Sequence, residues 1–327
     1  MSSLAIGEKR VIDTHPLIEL RRLHRYFGRT KAVDDVSFEV QRGHVFGYIG
    51  PNGAGKTTSM RILATLDMPT EGDAFVDGFS VVEDPDRVRR RLGFMPDYFG
   101  TYPNVNVREY LDFFARAYGL MGPERLRALR YVMSFTKLDG LAEKPINGLS
   151  KGMKQRLCLG RTMIHDPAVM VLDEPAAGLD PRARIQLREM IGQLAADGKA
   201  ILISSHILTE LAEMCDTVAI IEQGRLLAVG SVDEIHLAQQ PERLVQVTIL
   251  AGVDGGPGAL GGWLEQRSLR SIEVDGHVAR FRHEGTLDDE AELLRAMILA
   301  GFRVASFGSQ TRTLEEVFMQ VTEGLVQ

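Results

Sequence analysis

"GPNGAGKTT", Gly50 to Thr58, decides the fold. It satisfies the pattern G-x-x-x-x-G-K-[ST]. The apolar "VFGYI" before it reads as a strand, and "SMRILATL" after it reads as a helix. Glycines let such a loop turn tightly, so that its N–H groups converge on an anion. The helix that follows adds the positive end of its dipole. Gly50, Pro51, Asn52, Gly53, Ala54, Gly55, Lys56, Thr57 and Thr58 are therefore expected to cradle nucleotide phosphates. Lys56 is expected to reach the β- and γ-phosphates and Thr57 to ligate Mg²⁺.

"VMVLDEP" supplies the second half of such a site. Its apolar run reads as a buried strand that delivers Asp173 and Glu174 to the sheet edge where ligands bind. Asp173 is expected in the Mg²⁺ shell. Glu174 is expected to accept a proton from the attacking water. "ILISSH" repeats the arrangement and ends at His206, which is placed to contact the γ-phosphate and help position that water.

Short apolar strands alternating with helices argue for an α/β domain on a mostly parallel sheet. The 327 residues suffice for about two domains. A net charge of −6 gives no whole-chain signal for nucleic acid. The local run "RVRRRLG", Arg87 to Gly93, reads as a solvated helix face. Cys158 and Cys215 are far apart, in no metal-like spacing, and both fall in apolar helical patterns. Core packing in a reducing compartment is the expectation. The start lacks a signal-peptide apolar block, and no apolar run approaches the roughly 18 residues of a membrane span. The expected location is cytoplasmic, with any membrane role needing another chain.

Three stretches follow from composition and pattern. Residues 1–16 read as a flexible tail and 17–240 as the α/β domain. Within it, helix dominates from about 98 to 165. There "VREYLDFFARAYGL" puts Tyr110, Phe113, Phe114 and Tyr118 on one helical face, expected as core, with a groove for a partner as the alternative. Residues 241–327 read as a small α+β domain. Its elements are the strand "LVQVTIL", the glycine-rich loop "GVDGGPGALGG", and a hairpin around Asp275-Gly276. A helix stopped by Gly301 follows, then a last helix after Thr313 with Glu316 in a capping box.

"LSKGMKQRL", residues 149 to 157, poses a question of charge. Ser150 suits a helix N-cap, and Met153, Leu157 and Ile164 follow at helical spacing. Yet Lys151, Lys154 and Arg156 crowd the positive end of that helix, which is unfavourable without an anion nearby.

Taken together, "GPNGAGKTT", "LSKGMKQRL", "VMVLDEP", "GLDP" and "SSH" resemble the ABC-type ATPases in order and rough spacing over about residues 18 to 240. The tail "TRTLEEVFMQVTEG" is similar to the end of the accessory domain on nucleotide-binding subunits of ABC exporters. The resemblance implies a P-loop NTPase core with an inserted helical subdomain. It implies ATP and Mg²⁺, and a signature segment (Leu149, Ser150, Lys151, Gly152, Met153) that closes on ATP held by another subunit. That ATP is the anion the basic helix start expects. By the same resemblance, Asp180 in "GLDP" ties the two sites together across a dimer. Phe27 stacks on adenine, with Tyr26 the alternative if the register slips by one, and core packing the plain alternative for either ring. Asp97 stands where the family has glutamine, at Mg²⁺ and in the loop that senses the membrane partner. Residues Tyr98 to Arg108 would receive short helices of that partner.

Lys151 and Met153 replace glycine and glutamine of the family motif, which reads as variation. The implied function is an ATP-hydrolysing subunit that powers an ABC transporter, an exporter by its accessory domain. It would act through a separate transmembrane permease, as a homodimer or heterodimer on the inner face of the membrane, with no nucleic acid. The alternatives are a soluble ABC-type ATPase acting on DNA or ribosomes, and a P-loop kinase or GTPase. The first usually carries two cassettes or a coiled-coil insert, and the second has no LSGGQ-like helix. Drugs, lipids, polysaccharides and ions are all open as cargo.

Overall fold

The computed structural model describes residues 15–98, 100, 104–207, 211, 213–231, 234, 243–250, 257–267, 269–283 and 285–310. The expected tail up to residue 14, the helix after Thr313 and parts of the Tyr98–Arg108 segment lie outside them. The chain forms two compact units, Met1–Val229 and Gly230–Gln327.

The first unit is built on two sheets. β1 (Ile18–Phe27), β2 (Thr30–Val40), β4 (Glu71–Val76) and β5 (Phe79–Ser80) form an antiparallel sheet in the order β2-β1-β4-β5. β3 (Val45–Ile49), β6 (Leu92–Met95), β7 (Val169–Asp173), β8 (Ala200–Ser205), β9 (Thr217–Glu222) and β10 (Arg225–Gly230) form the other, ordered β10-β9-β3-β8-β7-β6. Its β6, β7, β8, β3 and β9 pair in parallel. Every residue of β3, β7 and β8 is buried, as a parallel sheet covered on both faces requires. The registers Ile49↔Ser205 and Asp173↔Ser204 bring the C-terminal ends of these three strands to one edge. One core joins the two sheets, with Phe38 of β2 stacked on Phe46 of β3 at 4.7 Å.

Helices α1 (Lys56–Leu63), α2 (Pro85–Arg91) and α6 (Pro181–Ala196) belong to the strand-bearing part. Between residues 104 and 165, α3 (Val107–Ala117), α4 (Gly122–Phe135) and α5 (Lys151–Met163) form the helical segment. Asn106 and Glu109 close a capping box at the start of α3. In α2 only Val88 is buried, so the basic run is a solvated face, with Arg89 paired to Asp86 and Arg91 to Asp77.

The aromatic stripe on α3 is not core as expected. Tyr110 is buried, but Phe113 is 57% and Tyr118 42% exposed. The buried stripe runs Val107, Tyr110, Leu111, Ala115, and Phe113 projects outside it. Tyr118 is the C-cap and stacks flat on His165 at 3.7 Å. Cys158 is buried in α5, but Cys215 lies after a turn, just before β9, and not in a helix.

In the second unit β11 (Arg243–Ile249), α7 (Pro257–Glu265), β12 (Arg270–Asp275), β13 (Val278–His283), α8 (Leu287–Leu299) and β14 (Val304–Gln310) follow one another. The antiparallel order β12-β13-β11-β14 makes this a split βαβ arrangement. Two expectations are corrected. Pro257 to Gly262 lie in α7, not in a loop: Leu260 and Leu264, one helical turn apart, are both fully buried, and that burial overrides glycine's low helix propensity. The hairpin loop is Gly276-His277, one residue further on, because Asp275 pairs with Val278. α8 ends as expected, with Gly301 at φ +92° just beyond its Ala300 cap.

Candidate functional site

β3 ends at Ile49 and the chain turns into the glycine loop. A Cβ at Gly50 would lie 2.2 Å from the Ile221 carbonyl oxygen, and one at Gly55 would lie 2.2 Å from that of Ala32. Gly55 also has φ +104°, a conformation that L side chains rarely adopt. The loop is thus wedged between β2 and the β9–β10 turn, and only glycine fits at either end. Lys56, first residue of α1, is buried and donates from Nζ to the carbonyls of Gly50 (2.6 Å) and Pro51 (3.2 Å). Its ammonium lies 3.9 Å from Glu174 Oε1. Burial pushes its pKa down, and the Glu174 and Asp173 carboxylates oppose that shift.

Asp173, last residue of β7, is 3% exposed and fully engaged. Thr57 Oγ1 donates to its Oδ2 at 2.9 Å, and Ser204 Oγ donates to its Oδ1 at 2.6 Å. Ser204 Oγ in turn accepts from the Glu174 N–H at 3.0 Å. Glu174 has φ +50°, in the left-handed region, a strain of the kind found at functional sites. His206 Nδ1 lies 2.8 Å from Glu174 Oε2; an ionised carboxylate only accepts, so Nδ1 carries the hydrogen.

Hard oxygens from Thr57 and Asp173 suit Mg²⁺, which takes one or two protein oxygens and completes its shell with phosphates and water.

Sequence reasoning missed Ser204, which fixes both Asp173 and Glu174. "ISSH" has two serines, and nothing in the pattern says which one turns toward β7.

The remaining predicted residues fall around this centre. Phe27 ends β1, is 49% exposed, and carries the Arg25 guanidinium 4.4 Å above its ring. Tyr26 is committed elsewhere, donating from its hydroxyl to Asp34 Oδ1 at 3.1 Å. Asp97 is exposed, two residues beyond β6. Ser150 is the N-cap of α5 and accepts from the Met153 N–H at 3.3 Å; Leu149 is buried and Lys151 exposed. A Cβ at Gly152 would sit 3.0 Å from Ala183 Cβ, so the start of α5 packs on the start of α6. Asp180 caps α6, accepting from the Ala183 N–H at 2.9 Å. The structure therefore gathers Lys56, Thr57, Asp173, Glu174 and His206 at one point. Among the described residues no hydrogen bond joins Leu149–Met153 to that point.

A phosphate loop at the head of a parallel sheet, an Asp-Glu pair at a neighbouring strand end and a capped basic helix define an ATP-hydrolysing cassette. The ABC transporter family model matches residues 33–177. Nod factor export ATP-binding protein I of Ralstonia nicotianae is 37% identical over 224 residues, 68% of this chain and 70% of that protein. Its namesake from Burkholderia lata is 39% identical over 214 residues, 65% of this chain and 70% of that protein. A solved ATP-binding subunit of an ABC transporter is similar over 68% of this chain and 92% of its own, with TM-score 0.62 and 32% identity. The chain belongs to the ABC transporter family, as an ATP-binding subunit.

It is thus an ATPase that powers transport, and the soluble DNA- or ribosome-directed reading and the kinase or GTPase reading give way to it. Subunits of this family work in pairs with a membrane permease. No described helix of this chain is long and apolar enough to cross a membrane.

Proposed function

We propose that this chain is the ATPase of an exporter, bound at the inner face of the membrane to a separate permease. The observation that carries the catalytic part is Glu174, held between His206 Nδ1 and Lys56 Nζ beside the phosphate loop. Glu174 accepts a proton from the water that attacks the γ-phosphate, and His206 holds its carboxylate in place. Lys56 and the N–H groups of Gly50–Thr58 hold the phosphates. Thr57 and Asp173, with Asp97 as a third candidate, would hold Mg²⁺, which would supply positive charge against the phosphates. Phe27, exposed while Tyr26 is tied down, is the ring for adenine.

Ser150 and the N–H groups near Gly152 act on the ATP of a second subunit, identical or related, and Asp180 joins the two sites. ATP favours the closed pair; hydrolysis and phosphate release reopen it. The stretch after Asp97 is the docking place of the permease. Export rests on the "export" in the names of both relatives and on the resemblance of the C-terminal part to exporter accessory domains.

The test is dimerisation of the Glu174→Gln chain, followed by light scattering. ATP with Mg²⁺ should convert monomer to dimer, and adding Ser150→Arg should prevent it. A chain that binds ATP and stays monomeric with an intact signature would remove the role in trans.

A further inference from the structure

Asp34 is one of the few buried charged side chains, at 6% exposure, and has no place in the chemistry above. It sits on β2, seven residues beyond Phe27, and joins three segments. Its carboxylate takes Arg225 Nε at 2.8 Å and Nη2 at 2.6 Å on Oδ2. The Tyr26 hydroxyl donates to Oδ1 at 3.1 Å, and Lys31 Nζ lies 3.3 Å from Oδ2. Its backbone N–H donates to the Gly224 carbonyl at 2.8 Å. Gly224 in turn donates its N–H to the Ala54 carbonyl, inside the phosphate loop, at 3.0 Å. The spacing there is closed: a Cβ at Gly224 would lie 2.9 Å from the Lys31 carbonyl oxygen.

A short chain of bonds thus runs from the phosphate loop, through the β9–β10 turn and Asp34, to Tyr26, the neighbour of Phe27 in β1. The β1–β2 hairpin that carries Phe27 turns at Gly28 and Arg29, between Phe27 and Thr30, and that end is exposed. Around Asp34 the hairpin is tied to the element that also touches the phosphate loop. The bond from Arg225 holds the Asp34 carboxyl down to about 2, with Lys31 and Tyr26 adding to the effect and burial opposing it.

We propose that Asp34 and Arg225 are positioning residues that fix the adenine ring platform at a set distance from the phosphate loop. The proposal rests on Phe27 being that platform. Triphosphate and base must be met at once by one rigid surface, so loosening the pair should weaken recognition of the base and leave recognition of the phosphates intact. A staple that merely held the domain together would weaken both.

Arg225 is the residue to change, because its side chain is 67% exposed and its loss leaves no cavity. Equilibrium binding of Mg-ATP and of Mg-tripolyphosphate, which has no base, would be measured on the full chain and on Arg225→Gln, Arg225→Lys, Phe27→Ala and the double variant Phe27→Ala/Arg225→Gln. Arg225→Gln should weaken ATP about tenfold, the order of a lost base–aromatic stack, and shift tripolyphosphate by less than about twofold. Arg225→Lys should recover part of the loss. The double variant should bind ATP no worse than the weaker single, because both act on one contact.

Equal weakening of ATP and tripolyphosphate, or no change in either, would overturn the proposal. If Phe27→Ala weakens ATP and Arg225→Gln does not, the platform stands and the positioning role falls. If Phe27→Ala leaves ATP binding intact, the platform reading falls and takes the proposal with it.

Discussion

His206 Nδ1 donates to Glu174 Oε2 across 2.8 Å, joining the ends of two neighbouring parallel strands. The carboxylate proposed as the base is thereby held from one side by an imidazole and faced from the other by Lys56. Glu174→Gln keeps the shape and removes the base. ATP should still bind, and turnover should fall roughly 10²–10⁴-fold. His206→Ala leaves the base present but loose, so it should lower turnover less than Glu174→Gln does. Steady-state hydrolysis with parallel ATP binding checks both, and near-normal turnover in Glu174→Gln would remove it from the base role.

Asp97 is exposed, and its side chain is shorter than the glutamine that the resemblance implies at this place. Aspartate binds Mg²⁺ directly or through water. Asp97→Ala should lower the ATPase rate and raise the Mg²⁺ concentration needed for half-maximal activity. A titration with Mg²⁺ at saturating ATP reads both, and unchanged values would take the metal role away from this residue.

The two loop glycines differ in a way that stability can show. Gly53 has φ +84° and open space around its missing Cβ, whereas Gly55 has φ +104° and the Ala32 carbonyl 2.2 Å away. Gly53→Ala should cost about 1 kcal/mol, from backbone conformation alone. Gly55→Ala adds a clash with main chain and should cost about 3 kcal/mol or more, with loss of ATP binding. Urea unfolding of the two variants side by side would contradict the wedged-loop geometry if they were equal.

His165 gives a pH signature remote from the nucleotide. Burial pushes its imidazole down to about 4, partly offset by its bond to the Leu92 carbonyl. The unfolded chain protonates it near the ordinary value of about 6.5. Between those two values the unfolded state binds more protons, so stability falls as pH drops through the window, by up to about 3 kcal/mol. Above pH 6.5 this group contributes no slope. His165→Gln should flatten the decline between pH 6.5 and 4 in denaturant unfolding, and an unchanged slope would refute the assignment.

Much of the site was legible because its parts are local. The glycine loop, "VMVLDEP" and "ILISSH" each carry their own strand and their own candidate residue, and parallel pairing alone brings the strand ends together. The N-cap at Ser150 is likewise a matter of adjacent residues. What was not legible depends on distant partners. Arg225 meets Asp34 from 191 residues away, and neither position stands out by spacing. Ser204 was chosen over Ser205 by the register of β7 on β8. The aromatic residues of α3 fit a helical stripe, yet only packing shows that Phe113 points outside it. Glycines in α7 read as a loop until the burial of Leu260 and Leu264 is known.

The central claim is that this ATPase works on a membrane partner, and it can be tested without knowing the cargo. Tagged Glu174→Gln chain, made in its native cells, would be recovered from membranes extracted gently with ATP and Mg²⁺, and what co-purifies would be identified and quantified. The account predicts a stoichiometric protein with several membrane spans. Recovery only from the soluble fraction, with ribosomes, DNA or no partner, would contradict it.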